Sequence, residues 1–197
     1  LGEQSLQQAQ AIRQEILDSP TVDASTTLTV LRDLSKGYYQ LAELKRRENS
    51  TDSFDQTEQY LNLALASLQA MQDANGSWEQ ISEDDHLQAI RLLNMRLSFW
   101  TFATMHNLET GLDPFEDLKH GAKHIGQLAD VMDRPAVTIS ILQFQQARLE
   151  IVSLGENRGQ LHSVLSDISI LLNAHRQQTA VAKLLPSFRW TSLNLLS

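Results

Sequence analysis

The sequence predicts an all-α chain, an array of antiparallel helical hairpins with about eight helices. Three observations carry that expectation. Apolar residues recur every three to four positions from Leu6 almost to the C-terminus. Turn residues cut this rhythm into segments of helical length. The β-branched clusters Thr26–Val30 and Val137–Ile141 keep helical register and do not alternate as strands would.

Each element has its own start and stop signals. A first helix is expected from Glu3 to Leu17, burying Leu6, Ala9, Ile12 (or Arg13) and Ile16, until Asp18-Ser19-Pro20 ends it. The second begins after Asp23 or Ser25 and carries Leu28, Leu31, Leu34, Tyr38 and Leu41. Glu48 to Asp52 reads as a loop. Ser53 with Gln56 reads as a capping box opening a third helix to about Gln72, closed by Asn75-Gly76. Ser82 with Asp85 opens a long fourth helix reaching about Asn107, and Gly111 separates it from the fifth.

Asp113-Pro114-Phe115-Glu116 is the sharpest start signal: a cap, a first-turn proline and an acid at the positive end of the dipole. The fifth helix is expected to bury Phe115, Leu118, Ala122, Ile125, Ala129 and Met132. Arg134-Pro135 turns the chain into a sixth helix ending near Gly155. Gln160 to Ala174 reads as a seventh, with Leu161, Leu165, Ile168 and Leu172 on one stripe. An eighth starts near Gln177 and bends or stops at Pro186, with Phe188 and Trp190 as a terminal cap.

The best hairpin runs from Leu34 to Leu68. Tyr38, Leu41 and Ala42 share one helix face, and Thr57, Leu61, Ala64 and Leu65 share the next. This spacing resembles a tetratricopeptide (TPR) repeat, with Tyr38 at the large first-helix position and Ala42 and Ala64 at small crossing positions. Thr57 stands where that family usually has alanine. A second, shorter echo runs from Phe144, Ala147 and Arg148 through Gly155 to Val164 and Ile168, where Arg148 occupies a small-residue position. The resemblance implies a right-handed superhelix of hairpins, each burying its apolar face against the next. It also implies that first helices line a concave face. Aligned on Tyr38, that face carries Lys36, Tyr39, Glu43 and Arg46.

Composition narrows the partners. The 197 residues suffice for one domain spanning 1–197, and the start at Leu1 without methionine suggests a piece of a larger protein. With 16 basic and 24 acidic side chains the net charge is −8, which repels phosphate backbones, so no nucleic-acid partner is expected. Lys45-Arg46-Arg47 reads as a cationic helix C-terminus and not as a phosphate-binding patch. With no cysteine there is no disulfide, thiolate–metal site or thiol nucleophile. No apolar run is long enough to span a bilayer, so no membrane partner is expected, and the expected location is cytoplasmic.

Candidate chemistry is sparse. His120 and His124 stand at metal-ligand spacing with Glu116 one turn earlier, but on a flank expected to be wet. Lys119-His120-Gly121-Ala122 resembles, over a few residues, the histidine-phosphotransfer helix, with lysine and histidine reversed; Gly121 serves close helix packing equally well. Asp84-Asp85-His86 and Ser166-Asp167 read as cap and surface residues, because neither has a nucleophile elbow or an orienting partner. Phe99, Trp100 and Phe102 read as core. The expectation is therefore a non-catalytic interaction or scaffold module, within a signalling protein, with no metal and no cofactor. Its partner is a protein or peptide, and its oligomeric state is left open. The competing expectation is a small-molecule-sensing helical bundle with a closed pocket near Trp100.

Overall fold

The computed structural model describes residues 2–48, 51–76, 81–154 and 158–175. Among them are seven α-helices and a short 3-10 turn, with no strand, so the chain is all-α as predicted. The helices are α1 (Glu3–Leu17), α2 (Ala24–Arg46), α3 (Thr51–Asn75), α4 (Glu83–Met105), α5 (Pro114–Gln127), α6 (Pro135–Leu154) and α7 (Arg158–His175). The segment expected to hold an eighth helix, with Pro186, Phe188 and Trp190, lies outside the described residues. Two compact units divide the chain, Leu1–Leu92 and Leu93–Ser197, and α4 begins in the first and ends in the second.

In the first unit α2 and α3 form the most extensively packed pair, and α1 packs on α2. Asp23 caps α2 by accepting from the Thr26 amide at 2.9 Å. Of the predicted interface, Leu41, Ala42, Leu61 and Ala64 are buried and Leu65 is half-buried, and Leu68 one turn on is buried too. Each large apolar side chain buried here contributes about 1.5–3 kcal/mol. Tyr38 is half-buried and stacks on Tyr60 with ring centroids 6.2 Å apart. Thr57 is buried as well, and its hydroxyl donates to the Ser53 carbonyl at 2.6 Å. A hydroxyl satisfied along its own helix is therefore accommodated where alanine was expected.

Two expectations in this unit need correction. Ser53 does not cap α3, which already begins at Thr51; its hydroxyl donates back to the Glu48 carbonyl at 2.8 Å. The inner face of α1 is also turned from the predicted one. Leu6 and Gln10 are buried and Arg13 is half-buried, whereas Ile12 and Ile16 are exposed. The cause is a polar lock. The Gln10 amide donates to the Leu34 carbonyl at 2.8 Å and accepts from Arg13 at 2.7 Å. It lies so close to Gly37 that a β-carbon there would overlap it.

In the second unit Asp113 caps α5, accepting from the Phe115 and Glu116 amides at 2.9 and 3.1 Å, with Pro114 in the first turn as predicted. The stripe of α5 is shifted by one residue from the expected set. Pro114, Asp117, Gly121, His124 and Leu128 face inward, while Phe115, Ala122 and Ala129 are exposed. Gly121 lets α5 approach α6, since a β-carbon there would run into the Phe144 ring. The helix also stops at Gln127, and Ala129–Val131 form the 3-10 turn.

The fourth helix ends at Met105, where Asn107 adopts a left-handed φ of 55° and the Leu108 amide donates to the Ala103 carbonyl at 2.9 Å. Phe99 is core, Trp100 is half-buried, and Phe102 is exposed, contrary to its expected core role. A further core joins α6 and α7 through Leu142, Leu149, Val152, Val164 and Ile168, with Leu165 and Leu172 packed against it. Arg148, at the small-residue position, reaches to Asp167 of α7 at 3.3 Å.

Candidate functional site

Lys36, Tyr39, Glu43 and Arg46 share one face of α2 because they step by three, four and three residues along it. Lys36 and Arg46 are exposed, and Tyr39 and Glu43 are half-buried. What borders this face is the first part of α4, within the same unit. Ser82 opens α4, with the Asp85 amide donating to its hydroxyl at 3.2 Å and that hydroxyl donating to the Asp85 carboxylate at 2.7 Å. Arg32 of α2 grips the same carboxylate through Nε and Nη2, both at 2.7 Å. Burial alone would raise the Asp85 carboxyl. The Arg32 and Ser82 hydrogen bonds, with the charges of Arg32 and Lys36, outweigh it and hold the group below its ordinary value.

Two turns further along α2, Tyr39 lies among charges of both signs. Burial pushes the Tyr39 hydroxyl up, the Glu43 charge adds to that, and Arg91 and Arg46 oppose it. Arg91, exposed on α4, is the residue that sequence reasoning missed. Its only signal was a cation on a different helix, with nothing local to tie it to Tyr39. Among the described residues no ion pair involves Lys36, Arg46, Glu43 or Arg91. Glu43 also lines a shallow cleft of about 240 Å³ with Leu6, Gln40, Leu44 and Arg47. The arrangement offers a half-buried tyrosine whose hydroxyl feels Arg46 and Arg91 as well as Glu43, with Lys36 further along the same face of α2, a surface suited to stacking and to charge-assisted hydrogen bonds with carboxylates. Lys45, by contrast, is buried and joined to Glu3 at 2.9 Å and Glu48 at 3.1 Å, tying the end of α2 to the start of α1.

The histidine pair on α5 divides. His120 is half-buried and lies 3.1 Å from Glu116, which also meets Lys119 at 3.3 Å. His124 is buried, a correction to the wet flank expected for it, because the shifted stripe turns it into the unit. Among the described residues no group of three or more His, Cys, Asp or Glu side chains is placed to hold a metal ion. Arg96 Nε donates to both Asp117 oxygens, at 3.0 and 2.8 Å, inside the second unit. Burial pushes the Asp117 carboxyl up, and the Arg96 charge and hydrogen bond offset only part of that rise. Trp100 lines neither the cleft beside Glu43 nor the larger one at the α1–α2 corner, which has a volume of about 430 Å³. Among the described residues no helix is long and apolar enough to cross a membrane.

Comparison with protein-family models, with curated proteins and with solved structures finds no match to this chain.

Proposed function

We propose that the chain is a TPR-like protein-interaction module of a signalling protein. In this reading it captures a protein or peptide with acidic side chains on the face of Lys36, Tyr39, Glu43 and Arg46, with Arg91 as a further contact. One observation carries the proposal: the charges of Arg46 and Arg91 act on the half-buried Tyr39 hydroxyl, and neither arginine has an ion pair among the described residues. Cations in such a position can meet an incoming carboxylate without first breaking an existing ion pair. The hairpin logic supports the same reading, since Ala42 and Ala64 occupy the buried crossing that the TPR resemblance implies. The function is binding, with no chemical step.

The test is a double change, Tyr39→Ala with Arg46→Ala, scored against a panel of acidic peptides by fluorescence anisotropy. Binding is expected to weaken by about tenfold or more, as for loss of an aromatic and an arginine contact. Helical signal and melting temperature should stay near the parent's, because Arg46 is exposed and Tyr39 is only half-buried. Unchanged affinity in the folded double variant would move the binding face elsewhere.

A further inference from the structure

A second surface of the first unit has the opposite electrostatic character. The cleft of about 430 Å³ at the α1–α2 corner is lined by Ile12, Glu15, Ile16, Ser19, Val22 and Asp23, among others. Ile12 is 58% exposed and Ile16 37%, so two large apolar side chains one helical turn apart stand open to water. They are exposed for the reason already given: the Gln10 lock turns the other side of α1 inward. Between Gln14 and Leu31 the chain carries Glu15, Asp18 and Asp23 and no lysine, arginine or histidine. Asp23 is held as an anion by the Thr26 amide and hydroxyl, which donate to its two oxygens at 2.9 Å each.

We propose that this corner docks a basic amphipathic helix, its apolar side chains seated on Ile12, Ile16 and Val22 and its lysines or arginines facing Glu15 and Asp23. The Ile12–Ile16 ridge beside the 19–23 turn makes a groove of the kind that a second helix fills with side chains at spacings of three and four. Charge decides which helix. An acidic apolar rim rejects an acidic occupant and attracts a cationic one. A second copy of this chain is a poor occupant, because self-pairing of the corner sets Glu15 and Asp23 against their own like charges. The inference does not rest on the Tyr39 face, which selects the opposite charge.

The experiment uses the full chain, labelled with nitrogen-15. The probe is a synthetic peptide of about 14 residues, near the length at which an isolated helix becomes marginal, with leucine at spacings of three and four and lysine elsewhere. Amide shifts are expected to move in residues 12–26 on titration. Ile12→Ser with Ile16→Ser should weaken the peptide by about tenfold or more, and Glu15→Lys by about threefold at low salt. Tyr39→Ala with Arg46→Ala should leave this affinity unchanged, which separates the two faces. Glu15→Lys alters an exposed position and keeps the test valid if the double isoleucine variant folds poorly. Equal binding of the peptide by the folded isoleucine variant or by Glu15→Lys, equal binding of a glutamate-for-lysine peptide, or dimerisation through Ile12 and Ile16 would each overturn the proposal.

Discussion

Arg96→Ala is expected to destabilise the second unit by about 3–5 kcal/mol, the usual cost of removing one partner from a buried ion pair. The pair is enclosed, with the Arg96 and Asp117 side chains only 6% and 4% exposed. Removing the guanidinium leaves a carboxyl that burial already pushes up and that then has less reason to ionise. The deficit should therefore grow from acid toward neutral pH, as solvent draws the proton off. Asp117→Leu leaves the converse problem, a buried guanidinium that cannot discharge. Arg96→Met with Asp117→Leu should recover most of the lost stability, since apolar replacement of both partners removes two desolvation costs at once. Urea denaturation of the three variants checks this. A deficit under about 1 kcal/mol for Arg96→Ala would mean that the pair is not closed to water.

Phe144→Ala should cost a similar amount, about 3–5 kcal/mol, because the ring is fully buried and its loss leaves a cavity against α5. The neighbouring glycine makes a sharper test. Gly121→Ala in a free helix would gain about 1 kcal/mol from propensity. Here the added methyl meets the Phe144 ring, so a net loss of about 1–3 kcal/mol is expected. In a Phe144→Ala background the same methyl has room, and Gly121→Ala should become stabilising. The sign reversal measures the coupling directly. If Gly121→Ala has the same effect in both backgrounds, α5 and α6 do not meet at this point.

The hairpin of α2 and α3 was legible because its contacts are written in apolar and small residues. Leu41, Ala42, Leu61 and Ala64 repeat at helical spacing, and each is buried where that spacing places it. The cap at Asp113 was legible, and that of α2 was narrowed to Asp23 or Ser25, because the partner amides lie within three residues of the cap. The phases of α1 and α5 were not, and both errors have one origin. Their buried stripes contain Gln10, Asp117, Gly121 and His124, which hydrophobic periodicity counts as surface. What draws two of them inward is far along the chain, the Leu34 carbonyl for Gln10 and the Arg96 guanidinium for Asp117. Arg91 escaped notice for the same reason. The face of Lys36, Tyr39, Glu43 and Arg46 was drawn from one helix, while its charge balance involves two.

Asp85 and Asp117 hold matching posts, each in the first turn of its helix and each held by an arginine from elsewhere in its own unit. Their appetites for protons are nevertheless opposed. The folded value of Asp85 lies below the ordinary 3.8, so its contribution is fully present above 3.8 and is lost as pH falls through the folded value. The folded value of Asp117 lies above 3.8, so between 3.8 and that value the native state binds more protons than the unfolded chain. Stability from this group consequently falls as pH rises through that window and is regained on acidification. Mild acid should add stability at Asp117 before stronger acid removes it at Asp85. Urea denaturation of Asp85→Asn and Asp117→Asn beside the parent, followed against pH, isolates the two contributions, and parent–variant differences that run with pH in the same direction would refute the linkage. An acid in a first helical turn met by an arginine can thus make a fold either less or more tolerant of acid, according to whether pairing or burial prevails.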